Sequence, residues 1–477
     1  YDIDDNGDGT CELTAVYGVP SGTVELPSVV DGKTVTSLGY HIFKDYREED
    51  ENGNELVISK LVIPDTVKWF RRETFRTEDD ESVDIAHVVL PYELWKITNV
   101  EFRGGYDNIV PGWCVFNSDE LKSLSFSNGG ISNKDGTYCL VGDGNRMLVH
   151  KEGGDSEGGD SGREGDQNLI AYAGSGASSV IAVPDGITGI TASVFDDCPA
   201  KTISLPATFK ETGNDEGFGW VEELEKIEIR GENEAYKVIG NALVDTRTKT
   251  LVQATRNTVI PNDGSVVKIA RSSFRLGHVV SVVIPDSIKE IDTRTFNDMS
   301  DLESFSIGKG TTVIGGGSFV ALGPVKYFTI AADNPVYEVV NGAVIRKTDN
   351  TFVSPAVPWN QYPEYEYGRD YDEYCYDLEV PYYCTKILAN ALHGEYVVRT
   401  VVLPKNIAYD DDVSYADEGL MGWSGVEYIR IADCRSMDEI YKSATYCNLN
   451  ENDNLGPYHN DFKGYTFTDK PQCAVRT

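Results

Sequence analysis

Two stretches of this sequence decide its fold: VVIPDSIKEIDTRTF at residues 282–296 and IAVPDGITGITASVF at residues 181–195. With Pro285 and Pro184 set as position zero, both stretches have apolar residues at −3 and −1, Ile at +6 and Phe at +11. Self-similarity at a fixed spacing is the signature of a repeat architecture. We therefore interpret the chain as an array of frames, each numbered from its proline.

The same frame recurs along the chain. Position zero is also occupied by Pro64, Pro91 and Pro381, by Gly308, and, with short insertions after it, by Pro27 and Pro261. Positions −3 and −1 alternate with −2 as one face of a strand does, and the proline ends the strand because it has no N–H for the ladder. One unit buries too little apolar surface to fold alone, so the units must stack. The pattern predicts a β-rich solenoid whose strands, about fourteen of them at about 4.8 Å spacing, form one long parallel sheet.

A longer period is superimposed on the frames. YCLVGDG from Tyr138, YKVIGNA from Tyr236 and YEVVNGA from Tyr337 lie about 100 residues apart, and each leads through Gly to a second β-prone segment. These segments predict hairpins inserted at about residues 131–178, 231–258 and 332–374. The low-complexity residues 151–166 form the tip or linker of the first.

Both ends of the chain differ from the repeat. The opening YDIDDNGDGTCELTAVYG starts like a calcium loop, but its twelfth position is Leu13 where a bidentate Glu is required. We interpret DNGDG as the turn of an N-terminal capping hairpin over residues 1–20, with a weak calcium site near Asp4 as the alternative. The solenoid then covers residues 21–431. Residues 432–477 form a C-terminal cap, with a short helix capped by Ser436 and a β-prone YTFT.

Composition limits the partners. The balance of 42 Lys+Arg against 77 Asp+Glu gives a net charge of −35. A field of that sign repels phosphate backbones and anionic lipids, so we expect no nucleic-acid partner. No apolar run approaches the roughly 20 residues of a membrane helix, so we expect no direct membrane insertion. Of the nine cysteines, the pairs Cys375/Cys384 and Cys434/Cys447 are close enough in sequence for disulfides, and the alternative is that each is a small buried side chain.

The segment VIPDSIKEIDTRTFNDMSDLESFSIGKGTTVIGGGSF, residues 283–319, resembles the BspA-like leucine-rich repeat family. The chain departs from the family pattern by placing Val194, Thr295 or Ser318 where Ala precedes Phe, and it keeps the late cysteine only at Cys198. The resemblance covers about residues 1–431. It implies a right-handed leucine-rich-repeat superhelix with parallel strands, inserted β-hairpins and terminal caps.

The resemblance also implies a function. Proteins of this family are secreted or cell-surface proteins of bacteria and some protists, implicated in adhesion and in binding host or matrix proteins. We expect a monomer that binds an extracellular protein or glycan, with its signal or anchor segment outside this sequence. The alternatives are a glycan-binding protein for nutrient capture and a structural spacer without a ligand.

No chemical motif points to catalysis. The six histidines form no zinc-helix motif, and no nucleophile elbow, P-loop or dinucleotide fingerprint occurs. We therefore predict a non-enzyme with no cofactor and no metal.

The candidate binding residues come from the outward strand positions −2, −4 and −5. In the middle of the chain these are small hydroxyl residues such as Ser204, Ser281 and Ser304, whereas towards the C-terminus they become aromatic and charged. Tyr and Arg are typical of interface hot spots, and a Tyr-rich segment lies nearby. Its alternative role is an acidic loop whose tyrosines pack on the repeat edge. The predicted ligand-binding residues are Tyr327, Trp359, Tyr365, Tyr367, Tyr371, Tyr376, Asp377, Glu379, Arg399, Tyr428 and Arg430.

Overall fold

The computed structural model describes residues 1–18, 21–44, 46, 56–75, 83–98, 116, 121–151, 165–191, 194–196, 198–212, 218–275, 278–296, 299, 301–319, 322, 325–356, 376–388, 391–392, 398–410, 428–434, 436, 438–439, 442–443, 445 and 466–467. The chain divides into two compact units, Tyr1–Val238 and Ile239–Thr477.

The first unit is built from short strands. They are β1 (Asp2–Asp5), β2 (Thr10–Ala15), β3 (Thr23–Glu25), β4 (Val29–Val30), β5 (Lys33–Leu38), β6 (Lys60–Val62), β7 (Trp69–Arg71), β8 (His87–Leu90), β9 (Lys96–Thr98), β10 (Ser123–Phe126), β11 (Tyr138–Val141), β12 (Met147–Lys151), β13 (Gln167–Tyr172), β14 (Val180–Ala182), β15 (Gly189–Ile190), β16 (Thr202–Pro206), β17 (Glu211–Thr212) and β18 (Lys226–Arg230). One turn of 3₁₀ helix, Arg72–Phe75, follows β7. The next strand, β19 (Tyr236–Ile239), contains the boundary between the units.

The second unit is built in the same way. Its strands are β20 (Ala242–Asp245), β21 (Thr250–Gln253), β22 (Lys268–Ile269), β23 (Ser281–Ile284), β24 (Glu290–Ile291), β25 (Ser304–Ile307), β26 (Val313–Ile314), β27 (Tyr327–Ile330), β28 (Tyr337–Val340), β29 (Ala343–Arg346), β30 (Thr351–Pro355), β31 (Tyr376–Glu379), β32 (Lys386–Leu388), β33 (Val398–Leu403), β34 (Ala408–Asp410), β35 (Tyr428–Ile431) and β36 (Thr466–Phe467).

The strands before position zero pair in parallel, which confirms the predicted β-solenoid. In the first unit the sheet orders are β3-β6-β8-β10 and β14-β16-β18, and in the second they are β23-β25-β27 and β31-β33-β35-β36. In β23 the side chains of Val282 and Ile284 are buried while those of Ser281 and Val283 are exposed. Each position of one frame therefore lies beside the same position of the next frame.

Each repeat also contributes a second short strand that the sequence analysis did not predict. Positions +5 and +6 form β15, β17, β22, β24 and β26, and these pair in parallel with the same positions of the neighbouring repeat. The isoleucine at +6 is buried, as at Ile291 and Ile314. Each repeat therefore contributes two strands to the core, one before the proline and one after it.

The prediction of one long parallel sheet was wrong, because the pairing stops where a hairpin is inserted. The antiparallel strands of each insertion are the first strands of a sheet that continues with the strands at positions +5 and +6. The orders are β11-β12-β13-β15-β17 in the first unit, and β20-β21-β22-β24-β26 and β28-β29-β30-β32-β34 within the second. Each hairpin therefore begins a new sheet instead of lying outside a continuous one.

The tyrosine that starts an insertion also closes the sheet before it. β26 is the last strand of its sheet, and the amide of Ile314 donates to the hydroxyl of Tyr337 at 2.9 Å. In the first unit the amide of Ile97, in the last strand of its sheet, donates to the hydroxyl of Tyr138 at 2.7 Å. An open strand edge presents unpaired N–H groups. The tyrosine hydroxyl satisfies one of them at the point where the sheet ends.

An asparagine just before each tyrosine fixes the insertion to the preceding repeat. The side-chain amide of Asn334 donates to the carbonyls of Gly308 and Thr311 at 3.0 and 3.1 Å. Its oxygen accepts from the amides of Val336 and Tyr337 at 2.9 and 2.8 Å. Asn133 and Asn233 make corresponding bonds in the first unit, to the carbonyls of Leu94 and of Ala207 and Phe209. We call this arrangement the Asn–Tyr lock, and its asparagine contacts recur with the period of about 100 residues seen in the sequence.

Gly308 replaces the usual proline for a steric reason. A Cβ atom at this position would lie 2.5 Å from Oδ1 of Asp286 and 2.8 Å from its backbone nitrogen. That carboxylate accepts from the amide of Lys309 at 2.9 Å, so it is held in place. Only a residue without a side chain fits there without a shift in the turn.

The N-terminal turn uses its own carboxylates. β1 and β2 are antiparallel with Asp5 opposite Cys11. Asp5 accepts from the Gly7 amide at 2.9 Å and pairs with Lys33 at 2.8 Å, and Asp8 accepts from both the amide and the hydroxyl of Thr10. These bonds lower the pKa of both carboxyls, that of Asp5 chiefly through Lys33 and that of Asp8 chiefly through Thr10. The geometry is that of a hairpin turn, and the capping role of residues 1–20 stays a prediction.

The C-terminal segment is described only in part. Asp438 and Glu439 have helical backbone, and the Glu439 amide donates to the hydroxyl of Ser436 at 3.3 Å. β36 pairs in parallel with β35, so Thr466 lies opposite Tyr428. The segment thus adds a strand to a repeat sheet, and its role as a cap stays a prediction.

Candidate binding surface

The outward face of β23, β25 and β27 carries exposed apolar and aromatic side chains. Tyr327 is 67% exposed and Val283 is 63% exposed, and Val280, just before β23, is also exposed. The inward residues of the same strands are buried, among them Phe305 and Val282. Burial of the alternate residues sets the strands, so the exposed side chains are held on a rigid support.

Register places these exposed residues in two rows. One row is Ser281, Ser304 and Tyr327, and the hydroxyls of the two serines are 2.7 Å apart and hydrogen-bonded. The other row is Val283, Ser306 and Thr329. At about 4.8 Å per strand and about 6.6 Å per two residues, the rows span roughly 10 Å by 7 Å between Cα atoms. We call these six residues together with Val280 the Tyr327 face.

A hydrogen-bonded His–Asp pair and a Lys–Glu ion pair border the Tyr327 face. Nδ1 of His278 lies 2.6 Å from the Asp301 carboxylate, and Nζ of Lys326 lies 2.8 Å from Glu303. All four side chains are substantially exposed, so solvent screens these pairs and each adds little to stability. An apolar and aromatic centre inside a polar rim is the usual anatomy of a protein-binding patch.

The corresponding face of β14, β16 and β18 in the first unit is different. There the Arg230 guanidinium donates to the carbonyl and hydroxyl of Ser204 at 2.8 and 3.1 Å, to the Val183 carbonyl, and to Asp185 at 2.9 Å. Ser204, which the sequence analysis placed among outward hydroxyls, is only 3% exposed. The expectation of an exposed Ser204 was wrong because the side chain of Arg230, from the adjacent strand β18, covers it.

The structure does not gather the predicted binding residues on one sheet. Tyr327 belongs to β27, whereas Glu379 belongs to β31, and Tyr428 and Arg430 belong to β35 of another sheet. Glu379 is exposed, and Tyr428 and Arg430 are half-buried. Val402 lies between Glu379 and Arg430 in the register and is itself buried, although it occupies an outward position.

The remaining predicted residues cannot be placed at the level of side chains. Tyr376 and Asp377 lie in β31 and Arg399 in β33, but their side chains are outside the described part of the structure. Trp359, Tyr365, Tyr367 and Tyr371 lie outside the described residues altogether. The Tyr-rich segment therefore stays a prediction.

Three exposed side chains were missed by the sequence reasoning. Val283 lies in β23 and Val280 directly precedes it, and apolar residues at the outward positions −2 and −5 were the available signal. Trp95, which is 65% exposed, follows Pro91 in a turn. Its signal was an aromatic ring at position +4, where frames without insertions have lysine, threonine or alanine.

The described residues offer few sites for covalent or metal chemistry. Cys384 and Cys434 are buried free thiols, and the partners considered for them, Cys375 and Cys447, lie outside the described residues. Burial raises the pKa of Cys384 to about 11, so its thiol is protonated at neutral pH. Within the described ranges no three His, Cys, Asp or Glu side chains are grouped to hold a metal ion. In that same part of the chain no helix is long and apolar enough to cross a membrane.

A comparison with protein families identifies the repeat. Residues 170–243 and 253–338 match the BspA type leucine rich repeat region in six copies. These two stretches carry BspA-type leucine-rich repeats. The match confirms the resemblance drawn from residues 283–319. The three strands that carry the Tyr327 face, β23, β25 and β27, lie within these repeats. No curated protein matches the chain.

Solved structures similar to the chain include three from bacteria. A leucine-rich cell surface protein from Faecalibacterium prausnitzii is 14% identical, with a TM-score of 0.31 over 93% of this chain and 95% of that one. The pneumococcal vaccine antigen PcpA is 13% identical, with a TM-score of 0.31 over 90% and 85%. A leucine-rich repeat protein from Bacteroides ovatus is 14% identical, with a TM-score of 0.28 over 98% and 97%. The TM-scores are low, and the fold rests on the strand pairing described above.

Proposed function

We propose that the chain is a non-catalytic, exported surface protein that binds another protein through the Tyr327 face. The observation that carries the proposal is the exposure of Tyr327 and Val283 on strands whose alternate residues Val282, Phe305 and Phe328 are at most 9% exposed. Folding does not require an aromatic ring at this outward position, since the same row holds Ser281 and Ser304 in the two neighbouring repeats. An exposed ring and valine on a rigid sheet favour a ligand that buries them.

A protein ligand suits this face better than a glycan. Val280 and Val283 have no polar group to bond a sugar hydroxyl, whereas a protein partner can cover them with its own apolar side chains. The serine and threonine hydroxyls of the face supply adaptable hydrogen bonds, and the bordering pairs form a polar rim. Host or matrix proteins are the partners that the repeat family suggests.

The test compares three forms of the protein on immobilised mucin, collagen and laminin. The double variant Tyr327→Ser with Val283→Ser removes the apolar centre, and Val313→Ser is the matched control, because Val313 is 50% exposed but lies in β26 of a different sheet. Truncation of a hot-spot residue costs about 2 kcal/mol or more, so the double variant should bind about thirtyfold more weakly or worse. The control should bind like the wild type.

Three outcomes would contradict the proposal. Equal binding by the double variant and the wild type would place the binding site elsewhere. Failure of the wild type to bind any of the probes would favour a structural spacer, and recognition of free glycans alone on an array would favour nutrient capture.

A further inference from the structure

A second candidate site lies in the first unit, beside the turn that follows β8. A cavity of about 310 Å³ is lined by Lys68, Glu93, Leu94, Trp95, Lys134 and Asp135. Three segments meet there: the turn after Pro64, the turn after Pro91 and the loop before β11. The volume is at the small end of the range for small-molecule sites.

Trp95 forms an exposed aromatic wall of this cavity. Its backbone is fixed, since its amide donates to the Lys68 carbonyl at 2.7 Å and the next amide donates to the same oxygen at 3.1 Å. Its side chain is nevertheless 65% exposed. In frames without insertions the same position +4 holds lysine, threonine or alanine, so stacking of the repeats does not require the ring. A lone exposed aromatic residue needs no explanation, but one that lines a cavity together with charged side chains does.

The polar wall is organised before any ligand arrives. The Glu93 carboxylate receives Nζ of Lys134 at 2.8 and 2.9 Å and Nζ of Lys68 at 3.4 Å. The Asp135 carboxylate accepts from the side-chain amide of Asn133 at 2.8 Å and from the Thr137 amide at 3.0 Å. Lys134 holds the pKa of Glu93 below its usual value. Burial raises the pKa of Asp135, but the bonds from Thr137 and Asn133 outweigh burial and lower it overall.

The charges that line the cavity favour no ligand charge of either sign. Two lysines and two carboxylates line it, so their formal charges cancel. The rest of the chain, with its net charge of −35, further repels anionic ligands. The cavity therefore combines a flat apolar surface, charged groups that bond hydroxyls, and no net charge of its own.

We propose that this cavity binds a neutral hexopyranose unit of a glycan. A pyranose ring presents an apolar C–H face that stacks on an indole, and its hydroxyls both donate and accept. The carboxylates of Glu93 and Asp135 would accept from ring hydroxyls, and the ammonium groups of Lys68 and Lys134 would donate to them. The site is separate from the Tyr327 face and concerns a different class of ligand.

The test uses saturation-transfer NMR on the whole chain. The probes are the methyl glycosides of glucose, galactose and mannose, with lactose and maltose, and the charged controls are methyl glucuronide and glucosamine. At least one neutral probe should show saturation transfer to its ring protons and a measurable dissociation constant. Trp95→Ala should weaken that probe by about tenfold or more, whereas Tyr382→Ala, at an 88% exposed aromatic residue, should leave it unchanged.

A second variant protects the test against misfolding. Glu93→Gln keeps the ring and the shape but loses the anchor of both lysines, and it should also weaken the neutral probe, whatever Trp95→Ala does to the fold. The proposal is overturned if no neutral probe binds, if a charged sugar is preferred, or if both variants bind like the wild type. The double variant of the Tyr327 face should keep full sugar binding, so a failure of this proposal is distinguishable from a failure of the proposed function.

Discussion

Replacing Tyr337 by Phe should loosen the edge of a sheet without disturbing the core. The Tyr337 side chain is 2% exposed, and its hydroxyl accepts from the amide of Ile314, which is 3% exposed, at 2.9 Å. Phenylalanine keeps the ring and removes the acceptor. The amide is then left buried without a partner at the last strand of its sheet.

The size of the effect follows from the loss of one buried acceptor. Leaving a buried donor unsatisfied costs about 1–3 kcal/mol. At about 1.4 kcal/mol per tenfold, amide exchange in the peptide that contains Ile314 should become roughly 5- to 140-fold faster. A hydroxyl contact to the Thr312 carbonyl at 3.5 Å is too long to add much.

Hydrogen exchange followed by mass spectrometry is the right assay, because a repeat array unfolds locally as well as globally. Peptides around β26 should lose protection, and peptides in the first unit should not. Tyr327→Phe is the matched control, since that side chain is 67% exposed, and its exchange pattern should equal that of the wild type. Unchanged exchange at Ile314 in Tyr337→Phe would refute the idea that tyrosines close the sheets.

Three further changes test other parts of the account. Asn334→Asp keeps both accepted bonds but turns an anionic oxygen towards the carbonyls of Gly308 and Thr311. It should therefore lower the unfolding free energy of the second unit by about 2 kcal/mol or more in urea denaturation. An unchanged midpoint would contradict the Asn–Tyr lock. Gly310→Ala would place a Cβ atom 1.8 Å from the Asp286 carbonyl oxygen, so it should lower the melting temperature. Gly264→Ala is the control, because nothing lies within 4 Å of its Cβ, and it should cost only the strain of its positive φ. Arg346 lowers the pKa of Asp349 from 3.8 to about 2. The stability from this pair is therefore present above pH about 4 and is lost as the pH falls towards 2. In Arg346→Met the pKa of Asp349, followed by carboxyl NMR, should return towards 3.8, and a value that stays near 2 would show that Arg346 is not the cause.

The repeat itself could be predicted because its inward positions are dictated by burial. Val282, Ile284, Ile291 and Phe296 are all at most 5% exposed, and their spacing was visible without a structure. The second strand at positions +5 and +6 was not visible, since two residues are too short for alternation to show and their pairing depends on the neighbouring repeat.

The ends of the sheets could be predicted only in part. The tyrosines at 138, 236 and 337 marked the insertions, but the hydrogen bonds that Tyr138 and Tyr337 accept come from strands 41 and 23 residues earlier in the chain. A single sequence does not reveal a contact of that range. The same limit explains the error at Ser204, which is covered by Arg230 from 26 residues further along.

Exposure at the outward positions could be predicted only in part, because it depends on neighbouring strands. Tyr327 is exposed as expected, but Val402 at a comparable outward position is buried. Aromatic and charged residues at outward positions therefore predict an available surface only where the adjacent strands leave them open.

Hydroxyl-radical footprinting of the whole chain bound to its protein partner tests whether the partner covers Tyr327. Tyr327, Trp95 and Tyr382 are 67%, 65% and 88% exposed, so all three should be labelled in the free protein. With whichever of mucin, collagen or laminin binds, labelling of Tyr327 should fall while Tyr382 keeps its reactivity. Unchanged labelling of Tyr327 in the saturated complex would contradict the account.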